Sequence, residues 1–276
     1  MQEFQQKRMA LVNDLTGFGR CSLTVSIPIL SAMGIECCPL PTAVLSNHTG
    51  FDSYFLDDYT EKITPYFEEW QKLNLHFDGI YTGFLGSERQ AAYINQIFES
   101  LPDTVKIVDP AMADNGKPYA SCNAALCESM RMLVSHADVV TPNLTEACIL
   151  TDIDYTNRYD ENLLKNLCHR LKKLGAKNIV ITGLESETYI SNYIMTESGT
   201  AFVHSKKRPI LRAGTGDVFA SVVAGNIVNH VDLYTAVKQA ANFVEKAMEL
   251  SDQMNIPPQQ GVCFEYLLKS GLLSDS

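Results

Sequence analysis

The sequence has no long hydrophobic run, no excess of basic residues and no CxxC spacing among its cysteines. No apolar run approaches the roughly 18 residues that a membrane-spanning helix needs, so a membrane partner is not expected. Lys and Arg total 22 against 32 Asp and Glu, for a net charge of −10 at pH 7. Proteins that bind nucleic acid usually carry a basic face, so nucleic acid is not an expected partner either. The compact basic cluster Lys206-Lys207-Arg208 is typical of a solvated strand end.

Eight cysteines are present, but their irregular spacing indicates neither a disulfide framework nor a zinc site. Cys148 and Cys168 fall inside apolar helical patterns, where a free thiol behaves as a small core residue. The polar residues 1–8 contain no apolar signal core. We therefore predict free thiols throughout and a cytoplasmic protein.

Low-complexity segments, linkers and internal repeats are also lacking. With 276 residues, of which 46% are apolar and 20% charged, the composition is that of a globular protein. This length is near the upper limit for a single hydrophobic core. We therefore predict one domain over residues 1–276.

Short apolar runs alternate with longer segments of helical period along most of the chain. Residues 9–13 are predicted as the first strand, and residues 36–45, with Pro39 and Pro41, as an irregular or edge strand. After Gly183 the pattern changes to a hairpin that is followed by two long helices. Strands too apolar to expose a face are typical of parallel sheets. The predicted fold class is α/β, with a central, mostly parallel sheet flanked by helices on both faces in three layers.

Polar residues follow most of the predicted strands, at the edge of a parallel sheet where ligands usually bind. They are Asn13 and Asp14, residues 46–49, Thr82 and Gly83, Asp109, residues 141–143, and Thr182 and Gly183. The set supplies hydroxyls, amides and a few carboxylates but very little positive charge. The sequence therefore predicts a polar site at the carboxyl ends of the strands.

The stretch Arg212-Ala-Gly-Thr-Gly-Asp217 precedes a helix of small and apolar residues. Glycines let backbone amides turn toward a ligand, and a helix N-terminus adds about half a positive charge. The pattern predicts an anion-binding site suited to a phosphoryl group. Asp217 is compatible with two roles there. It is either a stabilising acid in the first turn of the helix or the carboxylate that accepts an alcohol proton during phosphoryl transfer.

Several of these segments together resemble the ribokinase superfamily and, within it, the pyridoxal/pyridoxamine kinases. They lie in the family's order at residues 13–22, 46–50, 82–87, 108–114, 141–146, 180–183 and 213–217. The resemblance implies a ribokinase-like fold. It also implies an ATP-dependent kinase that phosphorylates the 5′-hydroxymethyl group of pyridoxal, pyridoxine or pyridoxamine. The lysine-containing loop of P-loop kinases is lacking.

The resemblance further implies which residues act on the alcohol and bind the vitamin. Asp217 would be the general base, and the backbone amides of Gly214, Thr215 and Gly216 would hold the γ-phosphate. The polar atoms of the vitamin ring would be contacted from the first two loops and the third strand end. The implied substrate-binding residues are Asn13, His48, Thr49 and Phe84.

For ATP and its metal, the resemblance implies a second set of residues. The nucleotide would be bound by Thr141, Asn143, Thr182, Gly183 and Gly216. Asp109 and Glu146 would organise Mg²⁺ and its waters around the phosphates. A monovalent cation is implied as a further cofactor, and a homodimer as the assembly.

Two positions depart from the family pattern. Asn13-Asp14 stands where many relatives carry Ser-His, and Phe84 stands where Tyr is frequent. A separate pattern, residues 17–22 with Glu36 downstream, resembles a dinucleotide fingerprint, but serine replaces its third glycine. Nicotinamide binding is therefore not expected.

Two alternative functions stay open at this point. A hydroxymethylpyrimidine kinase of the same fold would often carry Cys at position 217 and a different opening segment at residues 13–19. A non-catalytic vitamin-binding module would bind the vitamin without consuming ATP. A sugar kinase is less compatible with residues 46–50, which resemble the pyridoxal branch.

Overall fold

The structure, a computed structural model, describes residues 6–119 and 122–271. Its strands are β1 (Arg8–Phe18), β2 (Glu36–Asn47), β3 (Leu56–Asp58), β4 (Gly79–Thr82), β5 (Val105–Val108), β6 (Ala113–Asp114), β7 (Lys117–Pro118), β8 (Val139–Val140), β9 (Asn178–Glu185), β10 (Tyr189–Met195) and β11 (Thr200–Lys206). Nine of them form a sheet in the order β11-β10-β9-β8-β5-β4-β1-β2-β3, and β6 pairs with β7 in a separate hairpin. The six central strands in this order, β9, β8, β5, β4, β1 and β2, are parallel to their neighbours. At the two edges, β3 pairs antiparallel with β2, and β10 and β11 also pair antiparallel.

Helices cover both faces of this sheet. They are α1 (Leu23–Ala32), α2 (Thr60–Lys72), α3 (Glu88–Ser100), α4 (Ala124–Ser135), α5 (Leu144–Thr151), α6 (Glu161–Leu174), α7 (Thr215–Val228), α8 (Leu233–Gln253) and α9 (Glu265–Lys269), with a 3₁₀ turn at Pro258–Gln260. Helices α2 to α6 pack on one face, and α1, α7, α8 and α9 pack on the other. The predicted three-layer α/β fold is confirmed.

The alternation of side chains along β1 shows why both faces are apolar. Ala10 and Val12 are buried in the core on the α2–α6 face, whereas Met9 and Leu11 are buried in the core on the α1 face. Successive side chains of a strand point to opposite faces of the sheet. A central strand of such a sheet must therefore be apolar at every position, and it reads as a continuous hydrophobic run.

The first strand is longer than the sequence predicted. It was expected to end at residue 13, but it continues to Phe18 and stays paired with β2 after the register shifts between Asn13 and Leu15. The sequence predicted an earlier end because polar residues interrupt the apolar pattern of the strand. Gly17 consequently lies in β1 and not in a loop, and a Cβ there would lie 3.1 Å from the carbonyl oxygen of Ser46. A dinucleotide fingerprint needs its glycines in the turn after the strand, so that pattern is fortuitous.

The second strand was expected over residues 36–45 as an irregular or edge strand. β2 is a 12-residue strand that continues to Asn47 and pairs with β1 along most of its length. On its other side, β3 pairs only with residues 43–45. Pro39 and Pro41 therefore lie where β2 has no second neighbour and no ladder hydrogen bond is lost. The short strand β3, the hairpin β6–β7 and helix α9 were not predicted.

All eight cysteines are free, as predicted. The closest pair is Cys122 and Cys127, whose sulfur atoms are 3.3 Å apart. These two residues flank Asn123, the N-cap of α4, at the positions where apolar side chains commonly meet across a helix start. Among the described residues, no helix is both long enough and apolar enough to cross a membrane.

Candidate active site

A cleft of about 1030 Å³ opens at the carboxyl ends of the parallel strands. It is bounded by the ends of β1, β2, β5 and β9, by the hairpin β6–β7 and by the N-termini of α5 and α7. Most of the residues that the sequence singled out line it. They are His48, Thr49, Phe84, Asp109, Thr141, Asn143, Glu146, Thr182, Gly183, Gly214, Thr215, Gly216 and Asp217. Asn13 lies beneath the cleft and does not line it.

The N-terminus of α7 faces this cleft. Gly214, its N-cap, has a φ of 72°, and a Cβ at this position would overlap the carbonyl oxygen of Arg20. Only glycine adopts this conformation at this close approach without strain. In the described chain the backbone N–H groups of Thr215 and Gly216 have no protein acceptor. Together with the helix dipole they form an anion-binding site.

Asp217 lies in the first turn of α7, at the edge of the anion-binding site. Burial raises the pKa of its carboxyl group to about 6, and the nearby Asp14 carboxylate contributes to the rise. The backbone N–H of Ser22 and the Asn13 side chain lower the pKa but do not offset the burial. An aspartate with an unperturbed pKa of about 3.9 is a weak base at neutral pH. A pKa of about 6 is closer to neutral pH and makes Asp217 a better proton acceptor.

A second carboxylate, Asp109, lies at the end of β5 within electrostatic reach of Asp217. Burial and the charge of Asp217 raise the pKa of Asp109 to about 7. The hydroxyl of Thr141 donates a 3.0 Å hydrogen bond to Asp109 Oδ1 and opposes the rise. Two partly buried carboxylates at one cleft, one of which raises the pKa of the other, are typical of a functional site that binds a cation.

The raised pKa values of Asp109 and Asp217 predict an unusual pH dependence of stability. A carboxyl group whose pKa is raised by folding contributes stability below its unfolded pKa and loses that stability as pH rises through its folded pKa. The unliganded wild-type protein should therefore become less stable than Asp109→Asn as pH rises from about 5 to about 8. The expected scale is about 1.4 kcal/mol per unit of pKa shift. Urea unfolding of both proteins measures this difference, and an equal difference at both pH values would contradict it.

Glu146 and Asn143 form a capping box at the N-terminus of α5. The Asn143 side chain accepts the N–H of Glu146 at 2.9 Å, and Glu146 Oε2 accepts the N–H of Asn143 at 2.8 Å. Glu146 Oε1 also accepts the N–H of Met112, and the Asn143 amide donates to the carbonyl oxygen of Ala113. Both side chains therefore hold the β6–β7 hairpin against α5. Burial and the charge of Asp109 raise the pKa of Glu146 well above its ordinary value.

Thr182 and Gly183 lie in the second half of β9, beside Asn143. Thr182 forms an isolated parallel bridge with Asn143, and its N–H donates to the carbonyl oxygen of Pro142. Gly183 has a φ of 66°, and a Cβ there would meet nothing within 4 Å. This part of the cleft is therefore open and leaves room for a large ligand next to Thr141.

Asn13 is positioned by contacts that the sequence did not reveal. Its side-chain oxygen accepts the N–H groups of Asp14 and Phe84, each at 2.9 Å. Asn13 thus connects the bulge in β1 to the residues that follow β4. Its Nδ2 is buried without a hydrogen-bond partner in the described chain, and its side chain lies close enough to Asp217 to lower the pKa of that residue.

His48 also has a structural role in this arrangement. Its Nδ1 accepts the N–H of Gly50 at 3.1 Å, and its Nε2 lies 2.6 Å from the carbonyl oxygen of Gln259. This pattern fits a neutral ring with the proton on Nε2. His48 therefore fastens the loop after β2 to the segment before α9, and neither ring nitrogen is free for a ligand. Thr49, next to it, is exposed at the cleft.

Sequence reasoning missed the basic residues of the cleft. Lys206 and Arg208, expected at a solvated strand end, line it together with Arg212. Arg208 pairs with Glu249 at 3.0 Å, and Arg212 pairs with Asp252 at 2.8 Å. The closeness of these basic residues in the sequence is the feature that could have indicated their place at the cleft. In the part of the chain that the structure describes, no group of three or more His, Cys, Asp or Glu side chains could hold a metal ion.

Comparison with known proteins identifies relatives over most of the chain. Residues 31–262 match the phosphomethylpyrimidine kinase family. The pyridoxal kinase of Dictyostelium discoideum is 29% identical over 78% of this chain and 76% of its own length. The hydroxymethylpyrimidine/phosphomethylpyrimidine kinase of Haemophilus influenzae is 29% identical over 65% of this chain and 67% of its own length. The chain spans 45% of the length of the thiamine biosynthetic bifunctional enzyme of Arabidopsis thaliana, with 24% identity.

Solved structures agree with these relatives. A Bacteroides thetaiotaomicron protein named for the phosphomethylpyrimidine kinases, crystallised with pyridoxal, is 35% identical and superimposes with a TM-score of 0.92 over 97% of this chain and 96% of its own. The pyridoxal kinase of Lactobacillus plantarum is 28% identical, with a TM-score of 0.92 over 98% of both chains. The chain therefore belongs to the phosphomethylpyrimidine kinase family and has the ribokinase-like α/β fold of its pyridoxal kinase neighbours.

Proposed function

We propose that this protein is an ATP-dependent pyridoxal kinase that phosphorylates the 5′-hydroxymethyl group of pyridoxal, pyridoxine or pyridoxamine. The observation that carries the proposal is the position of Asp217 beside the free N–H groups of Thr215 and Gly216 at the cleft. A phosphoryl group bound by these N–H groups has a proton acceptor next to it. Phosphoryl transfer to an alcohol requires both features at one place.

In the proposed reaction, Asp217 accepts the proton of the substrate hydroxyl. The alcohol oxygen forms a bond to the γ-phosphorus while the bond between that phosphorus and the β-phosphate oxygen breaks, and ADP leaves. The N–H groups of Thr215 and Gly216 stabilise the charge on the transferred group. With a pKa of about 6, Asp217 is mostly ionised at neutral pH and ready to accept the proton.

The residues Asp109 and Glu146 fit Mg²⁺, because their carboxylate oxygens are the ligands that this ion prefers. No Lys or Arg of the described chain forms an ion pair with either of them. Among the residues that the structure describes, the Asp109 carboxylate accepts only the Thr141 hydroxyl, so it has lone pairs left for a cation. When bound, Mg²⁺ would offset the negative charge of the ATP phosphates. The monovalent cation implied by the resemblance stays a prediction.

A weak intrinsic affinity for Mg²⁺ is expected. Asp109 and Glu146 are too few for a cage built by the protein alone, and Glu146 already accepts two backbone N–H groups. Mg²⁺ usually binds through one or two carboxylates together with substrate phosphates. Calorimetric titration should therefore show weak Mg²⁺ binding to the free protein and stronger binding with a non-hydrolysable ATP analogue. Tight binding without nucleotide would contradict this prediction.

For ATP, the proposal keeps the residues that the resemblance implied and changes the role of one. Thr141, Thr182 and Gly183 would line the phosphate channel, since they lie along the open end of the cleft. Asn143 would act indirectly, because its side chain is engaged in the capping box. Lys206 is added as a candidate, because it lines the cleft and its Nζ has no ion-pair partner among the described residues.

For the vitamin, the proposal assigns direct contact to Thr49 and Phe84, which face the cleft. Asn13 and His48 would act by holding the walls of the pocket, because their hydrogen bonds are made to backbone groups. Phe84 offers an apolar surface against which an aromatic ring can pack. The homodimer and the cytoplasmic location also stay predictions.

Hydroxymethylpyrimidine kinase is the second candidate function. It is favoured by the family match over residues 31–262 and by the Haemophilus influenzae relative. The aspartate at position 217 favours pyridoxal, as does the pyridoxal in the crystals of the Bacteroides thetaiotaomicron protein. A non-catalytic vitamin-binding module would not require free N–H groups beside a carboxylate.

The deciding experiment is an ATP-consumption assay with a panel of alcohols. The panel contains pyridoxal, pyridoxine, pyridoxamine, hydroxymethylpyrimidine and ribose, each tested with Mg²⁺ and confirmed by detection of the phosphorylated product. The proposal predicts turnover of the B6 vitamers. Turnover of hydroxymethylpyrimidine alone would select the second candidate, and vitamin binding without ATP consumption would select the binding module. Turnover of ribose alone would remove the proposal.

A further inference from the structure

Three buried polar side chains lie together on the wall of the cleft near Asp217: Asp14, Thr16 and Ser22, here called the acceptor cluster. The Thr16 hydroxyl donates a 2.6 Å hydrogen bond to Asp14 Oδ2, and the Ser22 hydroxyl donates a 2.6 Å hydrogen bond to Asp14 Oδ1. All three residues line the cleft and are at most 7% exposed. Asp14 is one of the positions at which the sequence departs from the family pattern.

The backbone holds this cluster in an unusual conformation. Asp14 lies where the register between β1 and β2 shifts, which frees its side chain from the regular alternation of the strand. Ser22 has a φ of 53°, a region that residues other than glycine rarely adopt. In this conformation Ser22 donates its hydroxyl to Asp14, and its backbone N–H lies near enough to Asp217 to lower the pKa of that carboxyl group. Strained residues of this kind concentrate at functional sites.

The cluster can accept hydrogen bonds from a ligand but has no proton left to donate. Both hydroxyl protons are committed to Asp14, so Thr16 and Ser22 offer only their oxygen lone pairs to the cleft. No ion pair within the described ranges includes Asp14. Burying a carboxylate without a cation is costly. A ligand that brings a positively charged donor would remove that cost.

The position of the cluster relative to Asp217 indicates which substrate group it meets. Asp14 and Asp217 line the same cleft, and the backbone of Arg20 and Cys21, next to Ser22, lies against Gly214 at the start of α7. If Asp217 contacts the hydroxymethyl group, the neighbouring carboxylate faces the ring substituent next to that group. In the B6 vitamers this substituent is an aldehyde, a hydroxymethyl or an aminomethyl group. An aldehyde oxygen only accepts hydrogen bonds, a hydroxyl donates one, and an ammonium group donates and carries charge.

We propose that the acceptor cluster makes this enzyme selective for heterocyclic alcohols that carry an amino nitrogen next to the reacting hydroxymethyl group. This inference rests on the proposed function and refines its substrate class. Pyridoxamine is the vitamer that fits, followed by pyridoxine, and pyridoxal fits least. Hydroxymethylpyrimidine has an amino group at the corresponding ring position and fits the same rule, so it is expected as a side substrate.

The test compares kcat/KM for pyridoxamine and pyridoxal in the wild type, in Asp14→Asn and in two further variants. The wild type should prefer pyridoxamine by at least about tenfold. Asp14→Asn should lower kcat/KM for pyridoxamine by about 10- to 100-fold, mainly through KM, and leave pyridoxal within about threefold, because only the charged pair is lost. Thr16→Val keeps the Asp14 charge but removes one hydrogen bond that holds it, so the preference should shrink, though by less than in Asp14→Asn. Asp154→Asn removes one charge from an exposed loop and should match the wild type.

Several outcomes would overturn the inference. They are a wild type that prefers pyridoxal, an Asp14→Asn variant whose loss is equal for both vitamers, and a Thr16→Val variant whose preference is unchanged. If Asp14→Asn does not fold, the wild-type ranking and Thr16→Val still decide. Absence of turnover with every vitamer is a failure of the proposed function instead. In that case, calorimetric affinities of wild type and Thr16→Val for pyridoxamine and pyridoxal test the cluster by binding alone.

Discussion

Replacing Asp217 by Asn is expected to lower turnover by about 10² to 10⁴ while leaving the protein folded. The amide has nearly the same shape as the carboxylate, and the N–H groups of Thr215 and Gly216 stay in place. What is lost is the proton acceptor, whose pKa the fold raises to about 6. ATP affinity should hold or increase, because a negative charge next to the γ-phosphate is removed. Steady-state kinetics on each vitamer and nucleotide titration measure both effects.

The control for this substitution is a first-turn acid that does not face the cleft. Glu88 begins α3 and has no side-chain hydrogen bond or ion pair among the described residues. Glu88→Gln should cost at most about 1 kcal/mol of stability and leave turnover unchanged. If Asp217 is merely such an acid, the two variants will behave alike. A folded Asp217→Asn protein with near-normal turnover would remove the residue from the mechanism and the main support for the proposed kinase activity.

The pH profile of turnover gives a second readout of Asp217. In the wild type, kcat/KM should fall as pH decreases through about 6, because the carboxylate becomes protonated and can no longer accept the substrate proton. This limb should be missing from whatever activity Asp217→Asn retains. In this range kcat/KM therefore rises with pH. The stability of the unliganded protein falls with pH, because the fold loses stability when Asp109 and Asp217 ionise. Ionisation of these carboxylates thus lowers the stability of the unliganded protein, and ionisation of Asp217 supplies the proton acceptor for the reaction.

The fold could be predicted because its main signals are local. Apolar runs of strand length alternate with helical periods, and this alternation determines the layers without any knowledge of contacts. The anion-binding site at α7 is local as well, because glycines and a helix start are adjacent in the sequence. The strand β1 was cut short at residue 13 because polar side chains interrupt its apolar pattern. Two of these polar residues, Asp14 and Thr16, line the cleft, so the prediction failed where the strand carries site residues.

The roles of individual site residues were harder to predict, because they depend on partners distant in the sequence. His48 is held by the carbonyl oxygen of Gln259, 211 positions away, and Asn13 by the N–H of Phe84, 71 positions away. No local pattern reports such contacts. The raised pKa of Asp217 likewise follows from burial and from Asp14, which approaches only after β1 and α7 have come together. Sequence motifs identified the residues that gather at the cleft but not which hydrogen bonds they had already formed.

Two glycines at the start of α7 are expected to respond in opposite ways to the same substitution. Gly214 has a φ of 72°, and a methyl group there would overlap the carbonyl oxygen of Arg20. That carbonyl cannot easily move, because Arg20 is anchored by its backbone to Gln260 and by its side chain to Glu265. Left-handed strain alone costs about 1 to 3 kcal/mol, and the overlap adds to it. Gly214→Ala should therefore lose about 2 to 5 kcal/mol of unfolding free energy, as measured by urea unfolding.

Gly216→Ala serves as the matched substitution two residues later. A methyl group at Gly216 would meet nothing within 4 Å of the protein, and alanine favours a helix over glycine by about 0.5 to 1 kcal/mol. The variant should be as stable as the wild type or slightly more stable. Its methyl group, however, projects from the N–H groups that we assign to the γ-phosphate, and a misplacement of about 1 Å can cost up to about 100-fold in rate. Turnover should therefore fall by about 10- to 100-fold in a fully folded protein. A Gly216→Ala enzyme with unchanged kcat and ATP affinity would show that the phosphate does not bind at this helix N-terminus, even if Gly214→Ala unfolds as expected.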